Sequence, residues 1–128
     1  MLRLTMVSVL IVDDQEPFRL AARAVVEATD DFEVVGEAGS GEQSVELASD
    51  LHPDLVLMDV NLPGINGIEA TRRIREGAGG NGPVVLVLST YEASEYGGAA
   101  EAAGAAGFIS KGEFSPERLL QAWETARA

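Results

Sequence analysis

The sequence predicts an α/β fold, a doubly wound sheet of five parallel strands, and three features carry that prediction. Apolar runs of strand length alternate with longer segments of helical periodicity along the 128 residues. The runs VSVLIV, LVLM and VVLVL are unbroken rather than alternating, as strands buried on both faces of a parallel sheet require. Four strands stop at polar residues: Asp13 and Asp14, then Asp59, then Ser89, and finally Lys111 directly after GFIS. Ligands of open parallel sheets bind outside the carboxyl ends of the strands, where the strand order reverses, so these residues are expected at one edge.

The elements follow in order. Val7–Val12 forms the first strand. A helix begins at about Pro17, where proline in the first turn loses no needed N–H, with Phe18, Ala21, Ala22, Val25 and Val26 as its apolar stripe. Phe32–Ala38 is the second strand. Ser40 then caps a helix and Gln43 stands at the reciprocal position of a capping box, with Val45, Leu47 and Ala48 facing inward. Leu55–Asp59 is the third strand. A turn through Pro63 and Gly64 leads to Asn66, a cap with Glu69 three residues on, and Ile68 and Ile74 supply the packing of that helix. Residues 77–82 read as a loop, Val84–Ser89 as the fourth strand, and 93–103 as a weak helix in which Tyr96 stands almost alone among alanines and glycines. Gly107–Ser110 is the fifth strand, and Ser115 and Pro116 open a last helix with Leu119, Leu120 and Trp123. Five βα units on one sheet make a flavodoxin-like architecture, with the expected strand order 2-1-3-4-5. We expect one domain over residues 1–128, a leader over about 1–6, and no linker to a second domain.

Composition narrows the function classes. Nine basic against 21 acidic residues give a formal net charge of −12, which repels nucleic acid and anionic membrane surfaces. There is no cysteine, so disulfides, thiolate metal sites and a cysteine nucleophile are excluded. No apolar stretch reaches the ~20 residues that span a bilayer. The opening MLRLTMVSVLIV runs straight into Asp13 and Asp14 without a small-residue cleavage site, so it reads as a lead into the first strand rather than a signal peptide.

The strand-end residues suggest one chemistry. Adjacent carboxylates at Asp13 and Asp14 suit Mg²⁺, a hard cation that completes its octahedron with waters and phosphate oxygens. Asp59 is the proposed nucleophile, feasible when a metal and an ammonium hold the donor phosphoryl group. Lys111 is the sole lysine, every other cation being arginine, which suggests a need for a compact ammonium there. Taken singly, these residues are ordinary: acids end strands and cap helices, and a lone lysine is common. Their coincidence is what counts. His52, before Pro53 in a loop, is assigned no function, and Glu16 belongs to a helix start.

The segments IVDD, LVLMDVNLPGINGIEATRRIR, VVLVLSTY and GAAGFISK, in this order and spacing, resemble the receiver domain of bacterial two-component response regulators. The resemblance covers essentially the whole chain. STYE after the fourth strand and the non-proline Gly112 after Lys111 are similar to the subgroup that precedes a LuxR-type helix-turn-helix; most receivers have proline at that position. The resemblance implies that the Asn61 backbone carbonyl completes the metal site, and that Ser89, rather than its neighbour Thr90, is the switch hydroxyl. It also implies that Phe108 is the aromatic that turns inward on activation. It further implies a cytoplasmic phosphorylation-controlled switch that is no turnover enzyme, beyond self-phosphorylation and slow autodephosphorylation. The implied partners are a histidine kinase and a transcriptional output domain or downstream effector, with self-association into a homodimer also compatible.

Three other readings are weaker. A haloacid-dehalogenase-type phosphatase needs a general acid two residues after its aspartate nucleophile, and Asn61 cannot protonate a leaving group. A flavodoxin-like cofactor binder needs a first loop that cradles phosphate, and Asp13 with Asp14 would repel it. A receiver that has lost phosphate acceptance would lack some of the polar set, which is complete here. A stand-alone receiver, rather than part of a longer transcriptional regulator, is the alternative within the family.

Overall fold

A computed structural model of the chain describes residues 5–79, 82–90 and 93–127, and of 93–96 the backbone only. Strands β1 (Val7–Val12), β2 (Phe32–Ala38), β3 (Leu55–Asp59), β4 (Val84–Ser89) and β5 (Gly107–Ser110) form one sheet in the order β2-β1-β3-β4-β5. Every pairing is parallel. Between them lie α1 (Glu16–Glu27), α2 (Gly41–Leu51), α3 (Gly67–Gly77) and α4 (Ala93–Ala102), with α5 (Pro116–Arg127) last. The strand order reverses between β1 and β3, which makes their carboxyl ends the topological switch point of the sheet.

The helices cover both faces. Val9, Ile11, Leu55, Leu57, Leu86, Leu88 and Ile109 pack with Ala22 and Val26 of α1 and with Leu119 and Trp123 of α5. Leu10, Val12, Val56, Met58 and Val85 pack on the other face with Ala48 of α2 and Ala70 and Ile74 of α3. This two-sided burial is why the strands are continuously apolar; each such side chain contributes about 1.5–3 kcal/mol when fully buried. Phe32 meets Trp123 edge-on, with ring centroids 6.1 Å apart and planes at 77°. Under α4 the packing is thinner: Val60, Val87, Ala100 and Ala105, with Ile68 and Phe108 alongside. One irregularity marks the sheet edge, where Val9 pairs with Val34 but Leu10 pairs with Gly36, leaving Val35 as a bulge.

Several local expectations need correction. The α1 stripe does not include Ala21, which is exposed, as is Leu120 on α5, where Ala122 is buried instead. Periodicity sets the face of a helix, but these positions lie at the margin of the buried sector. Both predicted caps form through their first half only. Ser40 Oγ accepts from Gln43 N and Asn66 Oδ1 from Glu69 N. Gln43 Oε1, however, accepts from Gly39 N, and Glu69 is drawn into ion pairs with Arg72 and Arg73. Helix α3 runs through Gly77, so the following loop starts one residue late. Residues 1–4 of the leader, two residues of the 77–82 loop, Tyr91, Glu92 and the Tyr96 side chain lie outside the described residues.

Helix α4 is the least supported element. Among its described side chains only Ala100 is buried. A Cβ added at Gly98 would meet nothing within 4 Å, so this glycine is not there for close packing. Substitution Gly98→Ala is therefore expected to stabilise the protein by about 1 kcal/mol in urea denaturation. Amides of 97–102 should exchange with solvent faster than those of 68–75 in α3, and the substitution should narrow that gap.

Candidate functional site

The site lies where β1, β3 and β5 end. Asp13 follows directly after β1 and is 1% exposed, held there because its N–H continues the ladder to Ala38 O at 3.0 Å. Its Oδ1 accepts from Gln15 N at 2.8 Å, which turns the chain into α1. Asp14 is exposed. Asp59 is the last residue of β3, is 6% exposed and pairs in register with Leu88 of β4. Lys111 follows β5 and opens a 3-10 turn, Lys111–Glu113.

These groups converge. One carboxylate oxygen from each of Asp13, Asp14 and Asp59 lies within 4.8 Å of the others. The Lys111 Nζ donates to Asp13 Oδ2 at 2.6 Å and lies 3.4 Å from Asp59 Oδ1. It also stands 4.2 Å from the centre of the Phe18 ring of α1, a cation–π contact that closes one side of the ammonium. Burial pushes the Asp59 carboxyl up from 3.8 to about 6, against the pull of Lys111, while the Asp13 charge raises it further. The nearby Val60 backbone N–H lowers it slightly. Three close carboxylates, one of them open to water, are the oxygen-donor set that a hard divalent cation takes.

The other expected residues lie at the same edge. Ser89 ends β4 one residue beyond Leu88, is 1% exposed and pairs with Ser110. Its rival Thr90 is exposed. Asn61 is exposed two residues past Asp59, and Phe108 packs half-buried against Val60, Val87, Ala100 and Ala105. His52 takes a left-handed conformation as the C-cap of α2, far in role from the acid cluster.

Sequence reasoning missed the supports. Arg19 Nη1 donates to the Asp13 carbonyl at 2.7 Å and its Nε to Glu37 Oε1 at 3.1 Å. Arg23 donates to Glu37 Oε2 through Nε at 2.9 Å and Nη2 at 2.6 Å. Glu42 of α2 accepts from Ile65 N at 3.1 Å and so holds the loop that follows Asp59. A Cβ at Gly67 would overlap the Asp59 carbonyl oxygen, which explains a glycine at the start of α3. The hydrogen bonds among these join residues 6, 14, 18 and 23 apart in the chain and follow no local spacing.

Comparison with known proteins is consistent across sequence and structure. Residues 9–124 match the family model described as response regulator receiver domain. The nitrate/nitrite response regulator protein NarL of Escherichia coli (strain K12) is 38% identical over 121 residues, 94% of this chain and 55% of that protein. The transcriptional regulatory protein LiaR of Bacillus subtilis (strain 168) is 42% identical over 86 residues, 67% of this chain and 40% of that protein. The chain thus spans about half the length of the curated relatives it matches. Among solved structures, a two-component response regulator of the LuxR family from Aurantimonas sp. SI85-9A1 superposes with a TM-score of 0.84 at 34% identity, covering 94% of this chain and 84% of that one. The response regulator domain of Thermotoga maritima CheB gives 0.85 at 30% identity, with 96% and 98% covered.

The raised Asp59 carboxyl has a measurable consequence in the metal-free protein. Between its unfolded value near 3.8 and its folded value of about 6, the folded state binds the extra proton. Stability should therefore fall as pH rises through that window, by on the order of 2 kcal/mol between about pH 4.5 and about pH 7. Urea denaturation in EDTA at about pH 4.5 and about pH 7 reads this slope. Asp59→Asn should flatten it and be the more stable protein at the higher pH; an unchanged slope would remove Asp59 as its source.

Proposed function

The chain belongs to the response regulator receiver domain family, with LuxR- and NarL-type regulators among its relatives, and on that premise we propose that it accepts a phosphoryl group on Asp59. The observation that carries this reading is the meeting of three carboxylates and the sole lysine at one sheet edge, with Asp59 buried beside Lys111.

In the proposed step an Asp59 carboxylate oxygen attacks the phosphorus of a kinase phosphohistidine. The P–N bond breaks, the imidazole leaves with the electron pair, and an acyl phosphate remains on Asp59. Near neutral pH most Asp59 is ionised, as an attacking oxygen must be. Lys111 is 3.4 Å from Asp59 Oδ1 and can follow the charge onto the transferring oxygens without leaving the edge. Asp14, open to solvent, is the residue to hold Mg²⁺ directly. Both Asp13 oxygens already accept hydrogen bonds, so Asp13 is better placed to act through water. Asp59 and the Asn61 carbonyl complete the proposed set. When bound, the cation supplies positive charge beside the phosphoryl oxygens.

The acyl phosphate adds charge and acceptor oxygens at the ends of β3 and β4. Ser89 is the proposed donor to one of them, and its movement shifts β4, β5 and α4. Phe108 lies in the thin packing under α4, so its reorientation is the proposed readout there. The group favours the active arrangement only by its differential contacts with the two states. The wider reading is a cytoplasmic receiver of a longer transcriptional regulator, phosphorylated by a histidine kinase, with no turnover of an external substrate. No helix among the described residues is long and apolar enough to cross a membrane.

Incubation with acetyl phosphate and Mg²⁺, followed by intact mass, should add one phosphoryl group to the wild type and none to Asp59→Asn. Equal labelling of both would overturn the assignment. Millimolar Mg²⁺ should also raise the melting temperature in proportion to occupancy. Asp14→Ala should lose most of that response, and a mutant that still responds as the wild type does would show the ligand set to be wrong.

A further inference from the structure

We propose that Arg19 is a positioning residue for the acid pair, fixing the direction in which Asp14 leaves the chain and thereby setting the affinity of the site for Mg²⁺. The inference rests on the reading of the site as a cation site.

Asp13 and Asp14 are placed by different means. The Asp13 side chain is held at both oxygens, by Gln15 N and Lys111 Nζ. The Asp14 carboxylate is exposed and takes part in no hydrogen bond or ion pair among the described residues. Its position therefore depends on the backbone. The Asp13 carbonyl and the Asp14 N–H share one peptide plane, so a bond to that carbonyl orients the plane from which Asp14 projects. Arg19 makes that bond at 2.7 Å, from the first turns of α1.

The guanidinium is itself anchored. Its Nε donates to Glu37 Oε1, and the other Glu37 oxygen is held by Arg23. The planar fork of arginine spans a carbonyl and a carboxylate at once, which an ammonium cannot do in the same geometry. Glu37 also offsets the Arg19 charge, so a cation near the acid pocket does not meet an uncompensated guanidinium. Arg19 is only 19% exposed in its side chain, and Glu37 28%, so this ion pair is less screened than one on the open surface. Groups that orient ligands from behind are worth about 10–100-fold in metal affinity elsewhere, and this contact has that arrangement.

Calorimetric titration of the full chain with MgCl2, with melting temperatures measured in EDTA, tests the proposal. Arg19→Ala should weaken Mg²⁺ binding about tenfold or more, and Arg19→Lys by less, while both remain folded. Arg23→Ala removes the neighbouring ion pair to Glu37 without touching the Asp13 carbonyl. It should lower the melting temperature comparably and change Mg²⁺ affinity less than about twofold. A purely structural Arg19 would lower the melting temperature and leave the affinity alone, which overturns the proposal. So does equal loss of affinity in the Arg19 and Arg23 variants. Should Arg19→Ala fail to fold, Arg19→Lys decides: wild-type affinity in that variant overturns the proposal. A wild type that binds no Mg²⁺ overturns the cation-site reading itself, a result distinct from an Arg19 variant that binds as the wild type does.

Discussion

Like charges crowded into a low-dielectric corner govern the architecture of this chain. Asp13 and Asp59 are almost wholly removed from water, and Asp14 lies within reach of both. Left alone, such a group of carboxylates would open or take up protons, and the raised Asp59 carboxyl is the trace of that tension. What keeps the cluster together is the rigidity of the parallel ladder on either side of Asp59 and the arrival of one ammonium from β5. Residues 13, 59 and 111 meet only because the strand order reverses between β1 and β3 and continues through β4 to β5. The apolar layers on both faces exist in sequence as uninterrupted hydrophobic runs, and they hold the charged corner in place.

The two flanks of that corner are built differently. On the α2 and α3 side, Gly67 lets the helix start touch the Asp59 carbonyl, Glu42 holds Ile65 N, and a Cβ at Gly41 would strike the Ile65 carbonyl. At Gly67 and Gly41 backbone lies directly against backbone, which leaves little room to absorb a displacement. On the α4 side the cluster is smaller: Val60, Val87, Ala100 and Ala105, with Ile68 and Phe108 only partly buried against them. A disturbance at the end of β3 finds less resistance toward β4 and β5, which gives the direction of the proposed switch a mechanical basis.

The fold was legible because its signals are local. Unbroken apolar runs mark strands, and their polar stops at Asp13, Asp59, Ser89 and Lys111 mark the edge, so both the sheet and the residues of its charged edge are written in the sequence. Caps were half legible: Ser40 and Asn66 do their part, but Gln43 and Glu69 found other partners, since nothing local fixes where a long polar side chain ends. Depth was read poorly for Ala21 and Leu120, because period gives a direction and not a distance from the core. Arg19, Glu37 and Glu42 were not legible at all. Each looks like an ordinary surface charge, and its partner is supplied by tertiary structure. Phe18 was read as part of a helix stripe, and nothing in the sequence shows that its ring faces an ammonium.

The bulge at Val35 has a consequence for the phase of its strand. Side chains of a strand alternate between faces, so one added residue inverts every position after it. Because Val35 is left over, Glu37 aligns with Ile11, whose side chain packs toward α1 and α5. In an uninterrupted register Glu37 would align with Val12 instead and turn toward α2 and α3, away from both arginines. Parity, rather than residue type, thus decides which layer receives this carboxylate. The number of residues in β2 is part of the specification of the acid pocket, though no atom of Val35 belongs to it.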